Sequence, residues 1–228
     1  MPDTKLIVID GLPGSGKTTA AEWLTRQLQQ RGVAVQFLPE SDTAHPLWWY
    51  DYWDGMEYHP PDFDNIPIET FIETSLVKWK DFAASLKESN RRYVAESIFF
   101  QNAVGTFLMG GAAPVRLSEY AREVQRIARD LDPILIYFRQ GDAAGALRKI
   151  CAIRGRDFEH ELLANMERFP YLKRGDLKGL DGVTALWRDI QALTDKLFDE
   201  YAIRKLALET SKGDWMYYRQ QTLEFLGL

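Results

Sequence analysis

Gly11-Leu12-Pro13-Gly14-Ser15-Gly16-Lys17-Thr18 fills every fixed position of the pattern G-x-x-x-x-G-K-[ST]. Its glycines let backbone N–H groups converge on an anion. The first turn of a following helix adds unpaired donors and about half a positive charge from its macrodipole. The flanks agree with that use. Leu6-Ile7-Val8-Ile9 is an unbroken apolar run of the kind that forms strands buried on both faces, and Gly16 to Gln30 reads as a helix. Strand, glycine turn and helix together predict a site for a nucleoside triphosphate, ATP. Gly11, Pro13, Gly14, Ser15, Gly16, Lys17, Thr18 and Thr19 are its nucleotide-facing residues. A solvated Lys17 would reach the β/γ-phosphates, and the Thr18 hydroxyl would ligate Mg²⁺.

Composition narrows what surrounds that site. A chain of 228 residues, 46% hydrophobic and 27% charged, is expected to form one globular α/β domain over residues 1–228 with a sizeable core. The formal net charge of -5, with no long basic run, argues against binding a nucleic acid polymer, whose affinity rests on phosphate neutralisation. Cys151 is the single cysteine, so it has no internal disulfide partner and reads as a small apolar residue on a helix. No basic and apolar leader opens the chain and no apolar stretch approaches the ~20 residues of a membrane span, which predicts a cytoplasmic protein without a membrane partner.

Strand and helix signals alternate along the chain. Val33–Leu38 reads as a second buried strand ending at Pro39-Glu40, Arg92–Glu96 as a third, Ile134–Phe138 as a fourth and Ile203–Leu208 as a fifth. Apolar residues at three- and four-residue intervals predict helices over Ile68–Leu86, Leu117–Leu131 and Val183–Tyr201, with Asp214 as the N-cap of a closing helix through Leu226. Gly32 is available for a left-handed helix stop, Asp132-Pro133 ends another helix, and Lys173-Arg174-Gly175 reads as a basic turn. Such alternation requires a parallel sheet covered on both faces. The segment 142–168 is helical but broken at Gly155. The segment 41–64 is irregular and rich in Pro, Asp and aromatics, and long loops in compact domains are usually functional.

Phosphoryl transfer requires Mg²⁺, positive charge around the moving group and a residue that deprotonates the acceptor. Glu40, just past a strand's carboxyl end, is the candidate base, and Glu96, ending a buried strand, the candidate Mg²⁺ ligand beside Thr18. Arg148, Arg154 and Arg156 are candidates for a lid, because guanidinium forks suit phosphate oxygens. Arg139 ends the fourth strand and is a weaker candidate. Asp42, His45, Trp48, Trp49 and Trp53 are the acceptor candidates of the aromatic loop, which equally suits a core or subunit contact and hence a homodimer. His45 and His59 lack metal-ligand spacing. Thr210-Ser211-Lys212-Gly213-Asp214 weakly matches the guanine-reading N-K-x-D, but no strand-borne D-x-x-G sits between it and the phosphate loop.

The residues so assembled resemble P-loop kinases of the nucleoside and nucleotide kinase type. Phe37-Leu38-Pro39-Glu40 resembles the strand-end carboxylate of deoxynucleoside kinases, and Val94-Ala95-Glu96-Ser97-Ile98-Phe99 their V-x-E-R-S segment, without its arginine. Leu147 to Glu159 resembles their arginine-rich lid helix. The chain is also similar to bacterial P-loop ATPases with an E-x-D-x-x-H-P stretch, here Glu40 to Pro46. The resemblance implies a three-layer P-loop NTPase fold with a five-stranded parallel sheet of order 2-3-1-4-5, a substrate loop at about 41–64 and a helical lid at about 142–168. It implies that Glu40 takes the acceptor proton, that Glu96 supports Mg²⁺ and that Arg148, Arg154 and Arg156 clamp phosphates. The expected activity is ATP- and Mg²⁺-dependent transfer to a small hydroxylated acceptor, a nucleoside or nucleotide. An antibiotic or metabolite phosphotransferase and a nucleotide switch that binds a protein partner are the rivals.

Overall fold

The computed structural model describes residues 4–42, 44–47, 53–54, 57–58 and 68–228. In chain order its elements are β1 (Leu6–Gly11), α1 (Lys17–Gln30), β2 (Val35–Leu38), β3 (Trp53–Asp54), β4 (Glu57–Tyr58), α2 (Ile68–Glu88), β5 (Arg92–Glu96), α3 (Gln101–Met109) and α4 (Pro114–Ala128). A 3₁₀ turn (Arg129–Leu131) precedes β6 (Ile134–Arg139), α5 (Ala143–Arg154), α6 (Arg156–Met166), α7 (Pro170–Arg174), α8 (Gly179–Glu200), β7 (Arg204–Glu209) and α9 (Trp215–Leu226).

One sheet organises the chain. Its strands lie in the order β2-β5-β1-β6-β7, every neighbour parallel. Numbered by the sheet's own strands, this is the order 2-3-1-4-5 that the resemblance implies. All six residues of β1 are buried, as its apolar run requires. Its side chains alternate between two cores: Leu6 and Val8 join Leu135, Tyr137 and Ala95 beneath α2, α3, α4, α5 and α8, while Ile7 and Ile9 join Ile134, Ile136, Phe138 and Val94 beneath α1 and α9. Helices therefore cover both faces, which is what keeps a parallel sheet out of water.

Local chemistry sets the element ends. Gly32 takes φ 76° after α1 and Asp132 takes φ 45° before Pro133, each a left-handed stop. Asp142 caps α5 by accepting from Gly145 N at 2.8 Å, and Asp214 caps α9 by accepting from Tyr217 N at 3.1 Å. That disposes of the guanine-reading resemblance of 210–214: its aspartate is occupied as an N-cap. Gly155, at φ 88° and ψ -179°, separates α5 from α6 where the break was expected. Several bounds differ from the sequence reading: the second strand begins at Val35 rather than Val33 and the fourth runs on to Arg139. The fifth strand is shifted one residue, to Arg204–Glu209; the basic turn at Lys173-Arg174-Gly175 closes a short helix begun by Pro170; and the irregular 41–64 stretch contains the antiparallel pair of β3 with β4. No described helix is long and apolar enough to cross a membrane.

The loop between β1 and α1 fits only because of its glycines. Gly16 has φ 91°, and a Cβ placed on it would come within 2.8 Å of Trp215 Cζ2 and closer still to Cη2. Gly16→Ala is therefore expected to lose about 2 kcal/mol from left-handed strain alone, with further loss from the clash. Thermal unfolding checks this: combining Gly16→Ala with Trp215→Ala should restore the clash component only, and unchanged stability of the single variant would contradict the loop geometry.

Candidate active site

Parallel strands end at one edge, so the register of the sheet decides which side chains meet there. Ile9 pairs with Glu96 and Leu38 with Ala95, which brings the end of β1, the end of β5 and the residues after β2 to one place. Glu40 N donates to Glu96 Oε1 at 3.0 Å, while the Thr18 hydroxyl donates to Glu96 Oε2 at 2.7 Å. Glu40 accepts from the Ser97 hydroxyl at 2.7 Å and from Gln101 Nε2 at 2.8 Å. Ser97 sits in the arginine's place in the V-x-E-R-S pattern, with φ 63° and its hydroxyl on Glu40. A left-handed serine costs about 1–3 kcal/mol, and here it aims a donor at the carboxylate. Burial pushes the Glu96 carboxyl above its usual range, an effect that the Thr18 hydroxyl and the Glu40 N–H partly oppose.

Lys17 is buried, not solvated as its sequence position suggested. Its ammonium donates to Leu12 O at 3.1 Å and to Gln101 Oε1 at 2.6 Å. Gln101 thus spans the lysine and Glu40, its amide oxygen toward the ammonium and its amide nitrogen toward the carboxylate. The backbone of the same residue is held by Asp10. That fully buried carboxylate accepts from four backbone N–H groups: Gly11 at 2.8 Å, Phe99 at 3.0 Å, Phe100 at 2.8 Å and Gln101 at 3.1 Å. Burial pushes the Asp10 carboxyl up, and its N–H donors and nearby Lys17 pull it back. Four donors leave no acceptor for a carboxyl proton, so the group is held as the carboxylate. Asp10 and Gln101 were not among the sequence candidates. The signal for Asp10 was a charged residue closing the apolar run of β1; Gln101 gave none.

A cavity of about 700 Å³ opens from this cluster. Pro13, Gly14, Lys17, Thr18, Glu40 and Glu96 line one end, and Arg154 lines it as well, its guanidinium 4.8 Å from the centre of the Phe158 ring. The far end is mostly apolar and aromatic, with the hydrogen-bonded pair of Ser75 and Tyr120 at 2.7 Å and the side chains of Asn102 and Thr106 as its polar groups. Ser15 contributes a buried hydroxyl with no hydrogen-bond partner in the described structure, inside a loop of left-handed glycines. An orphaned donor there fits an anion. The Thr18 hydroxyl and the Glu96 carboxylate, adjacent hard oxygen donors, fit Mg²⁺.

Other sequence candidates fall in varied places. Arg148 and Arg156 are exposed and do not line the cavity, with Arg148 3.9 Å from Asp142. Arg139 is spent on a two-pronged pair with Asp195, at 2.8 and 3.1 Å. His45 lines the cavity, accepts from Leu47 N at 3.1 Å, and is driven by burial down to a pKa of about 4, so it is neutral at physiological pH. Asp42 accepts from Ala44 N at 2.9 Å in the turn before it. Trp48 and Trp49 lie outside the described residues, as does the side chain of Trp53. Cys151 is a buried core residue of α5. Among the described residues no cluster of three or more His, Cys, Asp or Glu forms a metal site.

Comparison with solved structures places this arrangement in a known fold. The chain is similar to deoxyadenosine kinase from M. mycoides with bound dATP, at 12% identity and a TM-score of 0.53, over 98% of this chain and 100% of that one. It is similar to thymidylate kinase from Ehrlichia chaffeensis at 12% identity and a TM-score of 0.53, over the whole of both chains. Neither a protein-family profile nor a curated protein sequence matches it. The fold is that of P-loop kinases of the nucleoside and nucleotide type.

Two measurements probe this cluster as structure. Asp10→Asn turns one acceptor oxygen into an amide donor facing backbone N–H groups, and should cost about 2–4 kcal/mol in urea unfolding; a loss under 1 kcal/mol would show that the carboxylate does not hold the β1 and α3 ends together. His45 is predicted to give the protein an acid-labile component. The unfolded chain binds that proton near pH 6.5 and the folded one near 4, so stability falls with pH across this window, by up to about 3 kcal/mol. His45→Gln should flatten the wild-type slope there, and equal slopes would refute the burial of a neutral imidazole.

Proposed function

We propose that the protein is an ATP- and Mg²⁺-dependent phosphotransferase acting on a hydroxyl of a small molecule, with a nucleoside as the favoured acceptor. One observation carries this reading: the phosphate loop and the Glu40 carboxylate face the same cavity, joined through Gln101. A loop that only bound and hydrolysed nucleotide would not need a cavity of this size running on from its lysine. The kinase likeness of the fold supports the same reading, and the dATP bound to the deoxyadenosine kinase agrees with a nucleotide site.

In this reading the backbone of Gly14 to Thr18 and the Ser15 hydroxyl receive the phosphates, and Lys17 leaves Gln101 for the β/γ oxygens. Thr18 and Glu96 would hold Mg²⁺, which screens the phosphate charge and orients the γ-phosphoryl. The acceptor hydroxyl gives its proton to Glu40. Its oxygen forms a bond to the γ-phosphorus as the bond from that phosphorus to the β-bridging oxygen breaks, and ADP departs with the electron pair. The Ser97 hydroxyl and Gln101 amide hold the Glu40 carboxylate in one orientation, so the base needs no reorganisation as the proton arrives. Arg154, on the cavity wall at the break between α5 and α6, is positioned for the charge that develops on the transferred group. Arg148 and Arg156 belong to the same proposed lid, 142–168, and reach the phosphates only if it closes.

Glu40→Gln keeps the volume and can still accept from Gln101 Nε2 while the Ser97 hydroxyl turns to accept from the new amide, but it cannot take a proton. Transfer should fall about a hundredfold or more while ATP affinity stays within a few-fold. Stopped-flow ADP release together with equilibrium ATP binding measures both, and an unchanged rate removes Glu40 as the base.

A further inference from the structure

The cavity and the sequence around it carry a statement about the acceptor that the fold likeness leaves open, since one of the two similar structures is a nucleoside kinase and the other a thymidylate kinase. Among the described residues that line the cavity, the only lysine and arginine are Lys17, hydrogen-bonded to Leu12 O of the phosphate loop, and Arg154, whose guanidinium lies 4.8 Å from the centre of the Phe158 ring. Lys17 shares the phosphate-loop end with Glu40 and Glu96. His45 adds no charge at neutral pH. Beyond them the walls are mostly apolar, with Trp79, Phe158, Met166, Leu186 and Trp187, and their polar groups are uncharged: the Ser75 and Tyr120 hydroxyls, buried and bonded to each other, and the side chains of Asn102 and Thr106 on α3. The sequence closes the remaining gap: between Arg31 and Lys78 there is no lysine or arginine, against nine aspartates and glutamates. No residue of that stretch can therefore bring a permanent cation to an acceptor.

From this we infer that the acceptor is an uncharged alcohol with a largely apolar, ring-sized body, and that phosphorylated molecules are not acceptors; this rests on the phosphotransferase reading above. A phosphate monoester carries about -1.5 to -2 charges near neutral pH. Seated with its hydroxyl at Glu40, it would place that charge in an apolar, aromatic pocket with two carboxylates at its mouth. The ammonium at that end is already committed to the nucleotide. Unpaired charge in such a place costs far more than a hydrogen bond returns. A neutral body has the opposite balance, because burying rings against Trp79, Phe158 and Trp187 is favourable in itself. One polar group on the body can exchange hydrogen bonds with the Ser75–Tyr120 pair, and a site with two such hydroxyls discriminates against a body without one.

The test uses the full chain with ATP and Mg²⁺, first alone and then with three panels. Binding of a non-hydrolysable ATP analogue is measured before any acceptor is added; if none is detected, the phosphotransferase reading itself fails, whatever the acceptor. With nucleotide binding established, the uncharged panel holds the ribo- and deoxyribonucleosides, inositols and aryl-alkyl alcohols. The second panel holds the nucleoside 5′-monophosphates, and the third amine-bearing aminocyclitols. ADP release should rise with at least one uncharged compound, and its phosphorylated counterpart should be about a hundredfold or more poorer in kcat/KM. Tyr120→Phe and Ser75→Ala should each raise KM for that compound several-fold while the KM for ATP stays constant. Turnover with the monophosphates or the aminocyclitols in preference to the uncharged panel, or no turnover with any uncharged compound by a protein that binds the ATP analogue, overturns the inference.

Discussion

Asp10 is the constraint on which the site depends. A carboxylate taken fully out of water is among the most expensive groups a fold can bury, and it persists only where its oxygens are saturated. Here the four donors are backbone N–H groups from two separate stretches: Gly11 of the phosphate loop and Phe99, Phe100 and Gln101 at the start of α3. Neither stretch can supply the other's geometry. The left-handed Ser97 and the loop after it would otherwise be free to choose several paths from the end of β5. The carboxylate selects the one that lays the first turn of α3 against the end of β1. Gln101 is placed by that choice, and Gln101 in turn sets Lys17 and Glu40 on either side of its amide.

The charges around the loop are unbalanced in a way that bears on function. Asp10, Glu96 and Glu40 cluster about one ammonium, that of Lys17, and Glu96 has as its partners a hydroxyl and a backbone N–H. Burial accordingly makes the Glu96 carboxylate less favourable than in water. A cation entering between Thr18 and Glu96 relieves this, whereas a neutral ligand does not. The cluster is thus of the kind in which structural stability is given up for binding, as expected where sites hold charge in readiness.

Much of the fold was legible because its signals are local. The apolar run of β1, the strand-sized apolar segments at 92–96 and 134–138, the Gly32 and Asp132 stops and the Asp214 cap depend on side-chain type over a few residues. Backbone geometry left them little choice. Walker-type spacing likewise placed Thr18, and strand ends placed Glu40 and Glu96. What the sequence did not show was long-range pairing. Gln101 is 84 residues from Lys17 and 61 from Glu40, and nothing in a glutamine at a helix start announces either contact. Lys17 read as solvated because lysines usually are, whereas the structure buries it with its ammonium on Leu12 O and Gln101 at the start of α3. Arg139 misled for the same reason, since its partner Asp195 lies on α8, far along the chain.

The division of the cavity follows from the sheet rather than from the loops. Phosphate-loop residues and strand-end carboxylates stand at the carboxyl edge because parallel strands all point there. The apolar end is made by α2, α3, α4, α6 and α8, whose facing sides continue the same core that packs beneath the sheet. Aromatic side chains on that side are therefore in the first place core residues, and the pocket is a region where the core fails to close. A pocket of that origin is poor in charge by construction. Any specificity at that end has to come from shape and from the few uncharged polar groups on its walls, the Ser75 and Tyr120 hydroxyls and the side chains of Asn102 and Thr106, while the carboxylates and the Lys17 ammonium stand at the phosphate-loop end.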